Sequence, residues 1–396
     1  MKNISKFFTL VVVLLPALNC YTGFVPSIEL GTLLVILCTL FLSFGGKQSY
    51  TFGHDIVWLL LAILFFVGTG IATTYNYNYS VGFFFRLLKI FVIVCSVFWL
   101  GKPYLRYDYA IKVLTFFSLL SAVYIIMQSV AFYGAGIQLP GIFAPLAYDE
   151  EHDYGNLLNG RDAIFRPSSF FMEPAQFASY EFVFLCYLLA HTELKRRTLY
   201  LIIIIVGLFV STSGTAYAMI PLLFIISYFL GIRQNQGKKK NGVMKGFLIA
   251  VLGVAVFAVL VFYTDIGAIT IGRLFDSGET TVAVTGRLES EAKWMFAALP
   301  SDWKILGCGF GFRPQDVYMP SFYAVLYGDG YIGVTAVLLL IIYYFFKTSN
   351  FGKLLCLSFG ALFFSSGIFN FASIGLYFLF ISKETILCKY VQKHKV

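Results

Sequence analysis

What most limits the folding of this chain is a succession of long apolar runs joined by polar connections. Roughly 20 apolar residues are needed for a helix to cross the hydrocarbon core of a bilayer. By that measure runs fall at 7–24, 28–45, 55–73, 81–100, 110–133, 173–191, 198–212, 215–231, 246–263, 327–346, 354–369 and 373–388, twelve in all. Only 12% of residues are charged, against about 25% in soluble domains. The expected fold is all-α: one integral membrane domain over 1–396, a polytopic bundle of about 12 transmembrane helices. The first run follows Lys2 and Lys6 as a signal peptide would, but no small-x-small cleavage site comes after it, so it reads as a retained span. The last two runs are short, and fit either two spans or a re-entrant pair turning at Asn370.

Positive charge orients such a bundle. With the N-terminus inside, alternate connections collect 20 of the 29 basic residues, 16 of them lysines. Both termini are then cytoplasmic, and the surplus on that side is topological. Seven basic residues fall outside: Arg161, Arg166, Arg273, Arg287, Lys293, Lys304 and Arg313. Five of those seven are arginines, against a lysine-rich inside. The planar guanidinium grips phosphate or carboxylate through two parallel hydrogen bonds, which lysine cannot imitate. As a set the outer arginines point to a phosphate or polyanion ligand, whereas Arg161 beside Asp162 reads as a local ion pair. Arg86 and Lys89 lie within one run, three apart and so on one face. Charges at that depth usually face a cavity. Arg86 is the stronger ligand candidate; Lys89 either lines the same site or snorkels to the interface.

Two outward loops are long, 134–172 and 264–326, and long loops on a trimmed membrane protein are usually functional. The first carries the acidic run Asp149-Glu150-Glu151-His152-Asp153, read as a solvated tip, and ends in Phe165-Arg166-Pro167-Ser168-Ser169-Phe170-Phe171-Met172-Glu173-Pro174. The proline after Arg166 pushes that arginine into extended backbone. Pro174 fits a first helical turn, where its missing N–H costs nothing, so Glu173 falls at the N-cap. An arginine and a carboxylate are thereby held at the lip of a helix. The plain use for Glu173 is to favour its own helix N-terminus, by about 0.3–1 kcal/mol.

In the second loop Leu288, Ala292, Met295, Phe296 and Leu299 recur at helical spacing, with Thr285 as cap and Pro300 as stop. The spacing predicts an amphipathic helix over 285–299, lying on the membrane surface or over a cavity mouth. Arg287 falls in its first turn, where a cation opposes the helix dipole. An i,i+4 pair with Glu291 offsets that by only about 0.2–0.5 kcal/mol, so Arg287 is read as a ligand for an anion. Ile305-Leu306-Gly307-Cys308-Gly309-Phe310-Gly311-Phe312-Arg313 follows. Its glycine spacing lacks the strand–helix context of a dinucleotide site, and the glycines instead allow a close backbone approach to a ligand or a helix. Asp329, in Gly328-Asp329-Gly330-Tyr331-Ile332-Gly333, is either a buried polar group with a function or a helix-start residue.

Several classes drop out. The seven cysteines form no C-x-x-C pair, and the four histidines form no H-E-x-x-H arrangement, so no metal and no cofactor is expected. The net charge of +9 is dispersed over connections in the pattern of a topology signal, and no nucleic-acid partner is expected.

Taken in order, Arg166-Pro167-Ser168-Ser169-Phe170-Phe171-Met172-Glu173-Pro174, Thr285-Gly286-Arg287, Trp294, Ile305 to Gly311 and Gly330-Tyr331-Ile332-Gly333 resemble the bacterial O-antigen and capsular polysaccharide polymerases (Wzy-type), relatives of the O-antigen ligases. The resemblance covers most of the chain by architecture and the two outward loops by motif. It implies residence in the bacterial cytoplasmic (inner) membrane. It also implies transfer of a growing glycan from one undecaprenyl pyrophosphate carrier onto the non-reducing sugar of another lipid-linked repeat unit, without metal or nucleotide sugar. The implied partners are the undecaprenyl-pyrophosphate-linked oligosaccharide, the lipid bilayer, and chain-length regulator and flippase proteins. Pyrophosphate binding maps onto Arg166 and Arg287, with Arg313 and Arg86 as further substrate-binding candidates, and Glu173 becomes the candidate general base. Ligases carry a histidine before the late span; Asp316-Val317-Tyr318-Met319-Pro320-Ser321 has none, which weakens the ligase alternative. A lipid-linked oligosaccharide flippase or transporter is the other alternative. It calls for internal repeats and cations inside a central cavity, whereas these arginines lie in loops.

Overall fold

A computed structural model describes residues 2–22, 28–45, 56–74, 76, 88–89, 91–93, 96–97, 102–141, 146, 165–230, 291–312, 319–365, 367–368 and 373–393. Within them the protein is all-α, with a single isolated β-bridge between Thr22 and Glu29. The helices are α1 (Lys2–Leu18), α2 (Leu30–Gly45), α3 (Ile56–Thr73), α4 (Tyr107–Ala135), α5 (Pro174–Ala190), α6 (Arg197–Val210), α7 (Gly214–Phe229), α8 (Glu291–Ala297), α9 (Ser301–Leu306), α10 (Ser321–Lys347), α11 (Asn350–Ser365) and α12 (Ser373–Lys393). Two of them, α4 and α10, are long and apolar enough to cross a membrane.

α5 is the axis of the bundle. Its sequence is apolar on nearly every face, and a helix of that kind is stable only when surrounded. Gln176 to Cys186 are buried without a break, and α4, α6, α7, α11 and α12 pack around it. Phe171, Phe177 and Tyr180 meet Phe117 of α4 or one another with ring centroids 5.2–6.2 Å apart. α1 bridges α2, α4 and α12, while α10 joins α3, α9 and α11.

The outer faces are as apolar as the core. On α4, Phe116, Leu120, Val123, Met127 and Val130 recur at spacings of three and four and are exposed. The opposite face buries Ser118, Ser121, Ala122, Ile125 and Gln128. Similar exposed apolar positions occur on α2 (Phe41, Phe44), α7 (Ile225, Phe229) and α10 (Leu339, Phe346). Monomers in water rarely carry apolar patches so extended.

Most helix positions follow the apolar runs, with three differences, the first being α1, which ends at Leu18 and not at 24 because the chain turns there toward the Thr22–Glu29 bridge. α10 starts at Ser321, behind Pro320, and not at 327, because its first two turns lie on the bundle before the apolar run begins. The expected 285–299 helix is helical at Glu291–Ala297; Pro300 then opens the separate helix α9, and residues 285–290 lie outside the described set. Its amphipathic character holds: Ala292 and Phe296 are buried, Trp294 is exposed, and Phe296 packs edge-on against Tyr331 at 5.4 Å. The region 354–388 forms two helices, α11 and α12, which pack against each other. The run 246–263 lies outside the described residues.

Candidate functional site

Two segments that leave the bundle and return to it are held in quite different ways. The first is 165–173. Arg166 to Ser168 are irregular backbone, Ser169 adopts φ +56°, and Glu173 is extended (φ −138°, ψ 152°) directly before Pro174 at the helix start. A left-handed φ is costly for a residue with a Cβ, so Ser169 must be held. The Ser169 N–H donates to Gln128 Oε1 at 2.9 Å, and its Oγ donates to the Ser121 carbonyl at 2.9 Å. Gln128 Nε2 donates in turn to the Leu139 carbonyl at 3.2 Å, joining the chain that leaves α4 to the chain that returns. Gly141 lies against the same point; a Cβ there would fall 2.5 Å from the Ser169 carbonyl oxygen. At the other end, the Met172 N–H donates to Gln176 Oε1 at 3.0 Å, and Gln176 Nε2 donates to the Pro16 carbonyl at 2.9 Å. Phe165 stacks on Phe132 at 4.5 Å and Phe170 on Tyr124 at 4.7 Å.

Arg166 is half-buried on this segment and Glu173 is exposed at its end. The Glu173 side chain makes no capping hydrogen bond; its carbonyl accepts from the Gln176 and Phe177 N–H groups instead. The carboxylate is thus at the lip of α5 and uncommitted to the helix. Arg86, Arg287 and Arg313 lie outside the described residues. Lys89 forms an ion pair with Glu29 at the start of α2, which also accepts from Thr32 Oγ1 at 3.3 Å.

The second segment is 307–312, docked on α10 where that helix is broken. Gly330 has φ +63° and ψ −160°, a region open essentially to glycine alone. The break deprives the Tyr327 and Gly328 carbonyls of their helical donors, and Cys308 and Gly309 N–H groups fill both places at 2.8 Å. Such an approach needs glycine: a Cβ on Gly307 (φ +81°) would lie 2.2 Å from the Gly328 carbonyl oxygen, and one on Gly328 would lie 2.9 Å from Phe310 Cα. α3 completes the dock. Asn76 Nδ2 donates to the Cys308 carbonyl at 2.9 Å, Thr69 Oγ1 accepts from the Phe310 N–H at 3.0 Å, and Phe65 stacks on Phe310 at 5.3 Å. Cys308 is therefore buried, and burial pushes its thiol up to about 12.

No protein-family model and no curated protein matches the chain. The site is thus read from its own geometry.

Two carboxylates within the bundle complete the picture. Asp329 sits immediately before the break in α10, buried, with no hydrogen-bond partner on either oxygen among the described residues. It lies within α10 and does not cap its second half, so it is the buried polar group of the two readings. Glu181, two turns into α5, is likewise buried; the Ser118 hydroxyl lies beside it, but the two are not aligned as a hydrogen bond. Ionising a lone carboxylate in such surroundings costs several kcal/mol even after relaxation. Glu181, Gln128, Gln176, Thr69 and Asn76 were not singled out by sequence reasoning. The available signal was simple: a polar side chain inside or beside an apolar run must find a buried partner or a function.

Proposed function

We propose that the chain is a polysaccharide polymerase of the bacterial inner membrane, spanning it about 12 times with both termini cytoplasmic. It transfers a growing glycan from undecaprenyl pyrophosphate onto a second lipid-linked repeat unit, and works beside flippase and chain-length regulator proteins. The observation that carries the reading is the 165–173 segment. It holds a half-buried arginine and an exposed, uncapped carboxylate on one short stretch, pinned at both ends by buried glutamines. Exposed apolar faces on α2, α4, α7 and α10 support the bilayer as surroundings.

The chemistry needs little beyond what these residues offer. The acceptor hydroxyl oxygen bonds to the anomeric carbon as the bond from that carbon to the pyrophosphate oxygen breaks. Negative charge grows on the leaving diphosphate, where Arg166 and Arg287 stabilise it, aided by Arg313 and Arg86. The hydroxyl proton passes to Glu173, a weak base suited to a step already driven by a good leaving group. No cofactor enters the scheme.

The test is a gel of lipid-linked glycan from cells carrying variants at matched membrane levels. Loss of a charge-stabilising donor typically costs about 10²–10³ in rate. Arg166→Lys and Arg287→Lys should then leave single repeat units on the outer face, because charge without the fork does not suffice. Normal chain lengths from both Arg166→Ala and Arg287→Ala would overturn the reading, and single units trapped on the cytoplasmic face would favour a flippase.

A further inference from the structure

Among the described residues, the break in α10 gathers negative groups and pairs them with no positive one. Asp329 is buried, and neither carboxylate oxygen has a partner among the described residues. A carboxylate placed just before a helix ordinarily accepts from the next turn's N–H groups; this one is turned away from them. Two glycines border it. A Cβ on Gly68 of α3 would lie 3.6 Å from Asp329 Oδ1, in ordinary contact, whereas one on Gly333 would lie 2.4 Å from Asp329 Cβ and 3.5 Å from its Cγ. A side chain at position 333 would therefore displace Asp329.

The second, independent observation comes from α9. Its last carbonyls point at the break: a Cβ on Gly330 would lie 2.2 Å from the Ile305 carbonyl oxygen and 2.7 Å from that of Lys304. The N–H groups four residues on, at Cys308 and Gly309, are committed to Tyr327 and Gly328. The Lys304 and Ile305 carbonyls therefore accept no backbone hydrogen bond among the described residues. Orphaned helix-end carbonyls and an unpartnered carboxylate attract positive charge, and interrupted helices within membrane bundles recur at ion sites.

We propose that Asp329 and the break at Gly330 form a binding site for one small positive charge, a proton or an alkali cation, whose occupancy keeps the 307–312 segment docked. Loss of the ligand leaves a bare carboxylate beside the carbonyls on which that segment is docked, and lifting of the segment opens the break to water. The titratable groups on the surrounding elements are few. α3 contributes none; α8 contributes Glu291 and Lys293, α9 Asp302 and Lys304, the docked segment Cys308, and α10, within two turns of Asp329, Tyr323, Tyr327 and Tyr331. None forms a salt bridge with Asp329.

Cys308 is a native reporter of the dock, and the test does not depend on polymer formation. The full-length protein in lipid nanodiscs is exposed to a small maleimide, and labelling of Cys308 is read by mass spectrometry as a ratio to Cys20. Cys20 is a buried thiol in the turn after α1, remote in sequence from the break, so the general pH dependence of the thiol–maleimide reaction is common to both. If the ligand is an alkali cation, Na⁺ or K⁺ in place of choline at constant pH and ionic strength lowers the ratio roughly tenfold at ten times the Kd. If it is a proton, acidification in choline between about pH 8 and 5 lowers it, with no alkali effect. In both cases Asp329→Asn removes the dependence; should that variant not accumulate, Asp329→Ser makes the same comparison. A wild-type ratio unchanged by cation and by pH overturns the proposal, as does a dependence that survives in the Asp329 variants.

Discussion

The segment 165–173 reaches the bundle through side chains, whereas 307–312 reaches it through bare backbone. Gln128 and Gln176 supply amides that span the gap to Ser169 and Met172, and Ser169 keeps its Cβ in a left-handed conformation. On α10 nothing spans a gap, because glycines remove it: Gly307, Gly328 and Gly330 let two backbones share hydrogen bonds across a helix break. A clamp of side chains can lose one member and yield. A backbone dock admits no extra atom. Both arrangements stiffen a segment that leaves the bundle, and Arg166 lies on the first of them.

That contrast is broken most severely at Gly330. Gly330→Ala combines a glycine-only backbone with a Cβ 2.2 Å from a carbonyl oxygen, and should cost on the order of 3 kcal/mol or more. Little folded protein is expected in detergent, as measured by size-exclusion yield and thermal melting. The clamp should be milder. Gln128→Ala leaves the Ser169 N–H and the Leu139 carbonyl unpaired, and a loss of about 1–3 kcal/mol is expected, read as a lower Tm in a protein that still accumulates. Ser169→Gly sharpens the same point: relief of the φ +56° strain offsets loss of the Ser121 bond, for a net change within about 1 kcal/mol.

The smallest stability effect belongs to Glu173. It is exposed and caps nothing, so Glu173→Ala should change stability by less than about 0.5 kcal/mol, while chain elongation in the same cells falls. Cys308 gives a pH prediction of definite sign. Its thiol stays protonated until pH approaches about 12, so the docked thiol should resist maleimide at neutral pH and react faster as pH rises.

The helices were legible because an apolar run is a composition signal that needs no partner: α2, α3, α4, α5, α6 and α7 lie where hydropathy puts them. Pro174 and Glu173 were legible too, since proline at the first helical position is a local rule. What escaped was everything that requires two segments at once. Cys308 reads as a loop cysteine until Tyr327 and Asn76 close over it, and the dock spans more than 230 residues between Asn76 and Cys308. Gln128 and Gln176 are ordinary polar interruptions until their partners are known. Lys89 carried a cavity reading only because Glu29, some 60 residues earlier, was not visible as its partner.

The central claim is that this protein makes glycosidic bonds between lipid-linked units, and reconstitution tests it most directly. Purified protein in liposomes is given the lipid-linked repeat unit of its own host on the lumenal face, and products are resolved by mass spectrometry. The account predicts a ladder of lipid-linked oligomers with one undecaprenyl pyrophosphate released per bond formed, and no ladder from Arg166→Lys. Repeat units that change leaflet without any new glycosidic bond, or that remain single with wild-type protein, would contradict it.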